Sequence, residues 1–226
     1  MKIKAVIFDL DNTLIDFMKF KSACIEEAAD AMIDAGLNIS REVLIKEAFS
    51  VYNQKTYEYR SVFDDIIKKH NKDNRKSDKI LANAIIAYRR TKNAYLETYP
   101  QTRSTLIHLT KKGIKLAIVS DAPRMRAYLR LCSAKLQDFF DVVVTYDDTN
   151  KEKPSPEPFL YALKQLDLRP DECIYVGDNH EKDIVGAKKL GFITVFAQYG
   201  AKKKIEEKIC DYKLPYISKL KKIVGQ

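Results

Sequence analysis

Near the N-terminus, Ile3-Lys4-Ala5-Val6-Ile7-Phe8 runs almost unbroken through apolar residues and then stops at two aspartates, Asp9 and Asp11. A short apolar run rich in β-branched residues reads as a strand buried on both faces, the central kind in a parallel sheet. Asp9 then leaves the carboxyl end of that strand, where open α/β sheets place their ligands. Asn12 and Thr13 suit a turn that returns Asp11 toward the same cavity, because their side chains bond nearby backbone groups. Two carboxylates this close repel, so a positive group between them, or a proton on one, is expected.

The texture then turns helical for about 80 residues. Cys24, Ile25, Ala28, Ala29, Met32 and Ile33 recur at three-to-four spacing, and Gly36 is placed to stop that helix. Ser40-Arg41-Glu42-Val43 has a capping-box form, followed by the apolar stripe Val43, Leu44, Ala48 and Val51. Further helices are expected over Val62 to Lys68 and about Ser77 to Glu97. No strand pattern interrupts this span, which predicts a helical insert.

Strand–helix alternation resumes after Pro100. The predicted strands are Ile114 to Val119, Val142 to Thr145, Cys173 to Val176 and Phe192 to Phe196, with a weaker one near Tyr212. Helices are expected over Thr102 to Lys112, from Pro123 through Leu131, and over Glu157 to Leu166, Ile184 to Leu190 and Ile217 to Val224. A polar loop should join Thr145 to Lys153. Such alternation means right-handed crossovers and a parallel sheet covered on both faces. Asp9-Leu10-Asp11, Ser120-Asp121 and Gly177-Asp178 all stand where an apolar strand stops, so a parallel sheet gathers them on one edge.

Composition narrows the function classes. Hydrophobic residues make up 46% of the 226, enough for a packed core. No apolar run approaches the ~20 residues needed to span a bilayer. The first strand begins by residue 3, which leaves no room for a signal peptide and predicts a cytoplasmic protein. Cys24, Cys132, Cys173 and Cys210 stand far apart without a Cys-x-x-Cys pair, as do His70, His108 and His180 without metal-site spacing. The net charge of +9 raises nucleic acid as a partner. Its basic residues, however, mostly neighbour acids, as in Lys204-Ile205-Glu206-Glu207-Lys208, and read as solvated helix faces.

Taken together, these motifs resemble the haloacid dehalogenase-like hydrolase superfamily, in the branch with a helical cap after the first strand. Asp9 to Leu14 is similar to its first motif, Ser120 to the second, Lys153-Pro154 to the third, and Gly177-Asp178-Asn179-His180-Glu181-Lys182-Asp183 to the fourth. The resemblance implies a doubly wound, Rossmann-like parallel sheet of order 5-4-1-2-3. Its core would be residues 1–15 and 100–226, with a helical cap over 16–99. Asp121 stands where the family often has a neutral residue, and it is grouped with Ser120 and Lys153 as substrate-binding.

The resemblance also implies a reaction. Phosphate monoesters are among the slowest substrates to hydrolyse, so positioning and charge neutralisation must supply most of the rate. Asp9 would attack phosphorus to form an aspartyl-phosphate. Mg²⁺ would be held by Asp9, the backbone carbonyl of Asp11, Asp178 and Asp183. Lys153 and Ser120 would neutralise and orient the phosphate, and Asp11 would act as general acid and then base. Asp183 also fits a cap for the helix at Ile184, and Ser120 one for the helix at Pro123. The expected substrate is a small phosphorylated metabolite, with sugar and triose phosphates as candidates and a monomer or homodimer as the acting species. A phosphomutase, a haloacid dehalogenase, which Asp11 argues against, and a non-catalytic nucleic-acid-binding protein are the alternatives.

Overall fold

The computed structural model describes residues 3–202 and 209–225, and the chain divides into two units, Met1–Phe17 with Glu97–Gln226 and Met18–Leu96. The charged run from Lys204 to Lys208 lies outside the described residues. In chain order come β1 (Ala5–Phe8), α1 (Phe17–Asp34), α2 (Arg41–Gln54), α3 (Val62–His70), α4 (Asn74–Tyr95), α5 (Thr102–Lys111), β2 (Lys115–Val119), α6 (Arg124–Ser133) and β3 (Val142–Val144). They are followed by α7 (Tyr146–Thr149), α8 (Pro156–Leu166), β4 (Cys173–Gly177), α9 (Gly186–Lys189), β5 (Ile193–Ala197), β6 (Tyr212–Leu214) and α10 (Leu220–Ile223).

The strands form one parallel sheet of order β3-β2-β1-β4-β5-β6. The expected order 5-4-1-2-3 is therefore present and gains a sixth strand outside β5. β1 is central, and all four of its residues are buried, as its apolar run requires. Alternate residues serve opposite faces. Ala5, Ile7, Ala117, Val119 and Tyr175 join Phe159, Ala162 and Leu163 of α8 in one core cluster. α5 packs on β2 and buries Leu106 and Leu109. The loop after β3 is more ordered than expected, because Thr145 and Asp148 make a reciprocal capping box that supports the single turn of α7.

The second unit holds most of α1 together with α2, α3 and α4, and its described residues contain no strand. Ile25, Ala28, Ala29 and Met32 of α1 pack with Leu44, Ala48, Tyr52, Phe63, Ile66, Ile67, Ile80 and Ala84. α1 ends where Gly36 takes φ +103°, and the Gly36 and Leu37 amides bond back to the Ile33 and Met32 carbonyls. Ser40 caps α2 through Val43 N–H. Val43 itself occupies the third helical position, so no acid returns the bond and the box is half made. It also points outward at 46% exposure, because the buried stripe of α2 is Leu44, Ala48 and Tyr52.

Candidate active site

The site grows from the end of β1. The register that pairs Phe8 with Ile118 and Val176 sets Asp9 level with the ends of β2 and β4. Its amide bonds to the Val176 carbonyl at 2.8 Å. Past Asp11 the backbone turns through Asn12, whose φ of 58° is tolerated by asparagine. The Asn12 amide then closes on Ile15 O at 2.7 Å. A distant segment braces this turn. Tyr199 donates its hydroxyl to Thr13 O, and Gly200 approaches so closely that an added Cβ would lie 1.6 Å from Asn12 O. Gly200 therefore has to be glycine for the turn to keep its shape.

Lys153 is the hub. Its side chain is almost fully buried, and Nζ donates to Asp9 Oδ1 at 2.6 Å and Asp183 Oδ1 at 2.7 Å. The Val119 carbonyl and the Tyr175 hydroxyl complete its surroundings at 3.1 and 3.2 Å. Burial opposes the charged ammonium, but the Asp183 and Asp9 carboxylates outweigh it and hold the Lys153 pKa well above the lysine range.

Three carboxylates converge there, with oxygens of Asp9, Asp178 and Asp183 all within 4.8 Å of one another. Burial pushes Asp9 up to about 7; Lys153 opposes that shift, and Asp183 adds to it. Asp178 is pushed up to about 9 by burial and by the charges of Asp9 and Asp183. One ammonium thus leaves negative charge in excess. All three groups offer hard oxygen ligands, so the residues present fit a divalent cation such as Mg²⁺. Gly177 makes the cluster possible, since a Cβ there would lie 2.4 Å from the Cβ and Cγ of Asp183.

Asp183 is not a helix cap. Asn179 performs that function by accepting from the Glu181 and Lys182 amides, and the chain passes through one wide turn, His180–Val185, before α9. Asp183 instead accepts from Asn179 N–H at 2.9 Å and from the Tyr175 hydroxyl at 3.1 Å. Ser120 does not cap α6 either. Its oxygen accepts from Ala122 N–H at 3.2 Å, Pro123 is the cap residue rather than part of the first turn, and Asp147 takes the Arg124 amide. Both Asp121 oxygens are engaged, one by the Lys153 amide at 2.9 Å and the other by Lys182 Nζ at 2.8 Å. Asp121 therefore anchors the backbone that carries Lys153, and Lys182 supplies the opposing charge.

Two participants went unread in the sequence. Arg130 of α6 pairs with Asp11 Oδ2 at 2.5 Å, which supplies a positive partner for the second aspartate. Its signal was an arginine on the apolar stripe Ala127, Arg130, Leu131. From the sequence Tyr175 reads as a strand residue only, whereas its hydroxyl accepts from Lys153 Nζ and donates to Asp183. A buried tyrosine needs a partner for its hydroxyl, and that requirement was the available clue.

Comparison with known proteins agrees with this geometry. The sequence model described as "Haloacid dehalogenase-like hydrolase" matches residues 6–197. The chain is 36% identical over 223 residues to the glyceraldehyde 3-phosphate phosphatase of Methanocaldococcus jannaschii, covering 98% of this chain and 97% of that protein. It is 31% identical over 237 residues to the pyrophosphatase PpaX of Bacillus mycoides, covering 100% and 99%. Among solved structures, a HAD phosphatase from Thermococcus onnurineus superposes with a TM-score of 0.73 at 29% identity, covering 99% of this chain and 98% of that one.

Proposed function

The chain belongs to the haloacid dehalogenase-like hydrolase family, and from that premise we propose that it is a Mg²⁺-dependent phosphatase of small phosphate monoesters, with a triose phosphate as substrate. The observation that carries the reaction is the convergence of Asp9, Asp178, Asp183 and Lys153 at one sheet edge. The substrate class rests on relatives named glyceraldehyde 3-phosphate phosphatases, at 36% identity for the Methanocaldococcus protein.

In this reading a carboxylate oxygen of Asp9 attacks phosphorus, and the bond from phosphorus to the ester oxygen breaks. Asp11 delivers its proton to that leaving oxygen. Water then attacks the aspartyl-phosphate, gives a proton to Asp11, and frees phosphate and Asp9. Lys153 holds Asp9 in place and neutralises the meeting of two anions. Ser120, whose hydroxyl proton its bond to Ala122 does not use, donates to a phosphate oxygen. Asp9, Asp178, Asp183 and the Asp11 carbonyl would hold the metal, which when bound supplies charge neutralisation at the phosphoryl group. Asp121 serves the substrate indirectly, by holding the Lys153 backbone. The helical unit, residues 16–99, is proposed as the cap.

The test is phosphate release from D-glyceraldehyde 3-phosphate, sugar phosphates and pyrophosphate, with Mg²⁺ and with chelator. Turnover of the triose phosphate that needs Mg²⁺ and is lost in Asp9→Asn is expected. Turnover that survives metal stripping would refute the metal assignment. Preference for pyrophosphate would refute the substrate class.

A further inference from the structure

We infer that Arg130 is a positioning residue for the carboxylate of Asp11, clamping both ends of the loop that presents it; the inference rests on the acid–base reading of Asp11 above. The loop from Asp11 to Phe17 is internally bonded, with Asn12 N–H and Phe17 N–H both donating to Ile15 O, at 2.7 and 2.8 Å. Arg130 touches its two ends at once. Nη1 donates to Asp11 Oδ2, and the guanidinium carbon lies 4.5 Å from the centroid of the Phe17 ring.

α6 turns Ala127, Arg130 and Leu131 inward, and the arginine side chain retains 8% exposure. Burying a guanidinium forfeits its hydration, which is compensated only by a paired anion and a favourable face to stack on. Arg130 has both, and both belong to one loop. A planar fork that bonds with its edge and stacks with its face fixes direction as well as distance, which an ammonium does not. Asp11 must deliver a proton to one particular oxygen, so the direction of its carboxylate decides the rate. General acid–base help is worth roughly 10²–10⁴-fold, and misdirecting the group forfeits part of that.

A merely structural ion pair would lower stability and slow all substrates alike. A positioning residue acting through Asp11 has a different signature, because protonation matters only when the leaving oxygen is basic. The experiment measures aspartyl-phosphate formation by rapid quench, from an alkyl phosphate and from nitrophenyl phosphate, in Asp11→Asn, Arg130→Met, the double variant and Phe17→Leu. Arg130→Met should slow formation from the alkyl ester roughly 10–100-fold while leaving formation from the nitrophenyl ester within about threefold. In the Asp11→Asn background it should add no further loss. Phe17→Leu, which removes the stacking face and keeps the ion pair, should show the same selectivity at lower amplitude, and it keeps the test open if Arg130→Met does not fold.

If Asp11→Asn itself slows both esters equally, the acid–base reading fails, whatever Arg130 does. If Asp11→Asn is selective but Arg130→Met and Phe17→Leu are not, the positioning role is overturned. It is also overturned if the losses multiply in the double variant. A raised KM with unchanged formation rate would make Arg130 a substrate contact instead.

Discussion

The two units bury lysines in opposite ways. In the α/β unit, Lys153 Nζ sits between the carboxylates of Asp9 and Asp183. In the helical unit, Lys21 Nζ donates to the Tyr57 carbonyl at 3.0 Å and the Tyr88 hydroxyl at 2.9 Å, and lies 3.9 Å from the centroid of the Tyr52 ring. The first arrangement concentrates formal charge, and Asp9, Lys153 and Tyr175 are all held above their ordinary pKa ranges, which suits a site built to meet a phosphate dianion. The second sets a charge beside a carbonyl, a hydroxyl and two tyrosine ring faces, which suits holding helices together. Burial of a cation is thus not by itself a sign of chemistry; the character of its partners decides.

The sharpest way to break this comparison is to make one substitution at both lysines. Lys153→Met should cut kcat roughly 10²–10³-fold, as removal of a preorganised electrostatic group does. It should also destabilise the fold by about 3–5 kcal/mol, since buried carboxylates lose their partner. Lys21→Met should cost about 1–3 kcal/mol through unmade hydrogen bonds, with kcat within a few-fold of the parent. Steady-state kinetics and thermal melts on both variants check this. Equal losses of kcat would erase the distinction.

The glycines sharpen it at smaller amplitude. Gly177→Ala drives a methyl into Asp183, and should weaken Mg²⁺ affinity roughly 10–100-fold, as disturbed support of ligands does. Gly36→Ala meets only the flexible end of Lys76 and a φ of +103°. It should cost stability on the order of 1 kcal/mol and leave Mg²⁺ binding unchanged. Calorimetric titration separates the two.

The smallest signal is a proton count. Without metal, Asp9 at about 7 and Asp178 at about 9 hold protons that ordinary carboxylates have lost. The folded state therefore binds more protons than the unfolded chain. This pair's contribution to metal-free stability falls as pH rises from the usual carboxylate range toward 9. Metal ligation needs ionised carboxylates, so Mg²⁺ binding should strengthen with rising pH up to about 9 and then level. At pH 8 it should release about one proton, read from titrations in buffers of different ionisation enthalpy. No proton release would mean that the excess negative charge is already balanced without a metal.

Much of the fold was legible because its signals are local. Apolar runs of four to six residues marked β1, β2, β4 and β5, and spacing of three to four marked the helices of the insert, since each pattern is imposed by a few consecutive residues. Parallel topology then gathered Asp9, Asp11, Ser120, Asp121 and Asp178 on one edge, and the family resemblance added Lys153 and Asp183. Local signals failed where two patterns competed. The turns around Ser120 and Asp183 each contain several capping residues, and the sequence does not say that Asn179 and Asp147 take those bonds.

Packing of the whole chain alone sets which distant side chains face each other. Arg130 meets Asp11 across 119 positions, Gly200 presses on Asn12, and Asp121 is shared by the Lys153 amide and Lys182. None of these pairs shares a period, a cap or a strand. The sequence by itself determined the strands, the helices and the edge where the acids collect, because neighbouring residues settle those. It did not determine Arg130 and Lys182, the cations that meet Asp11 and Asp121, because a buried charge is placed by whichever partner the packed chain brings within reach of a hydrogen bond.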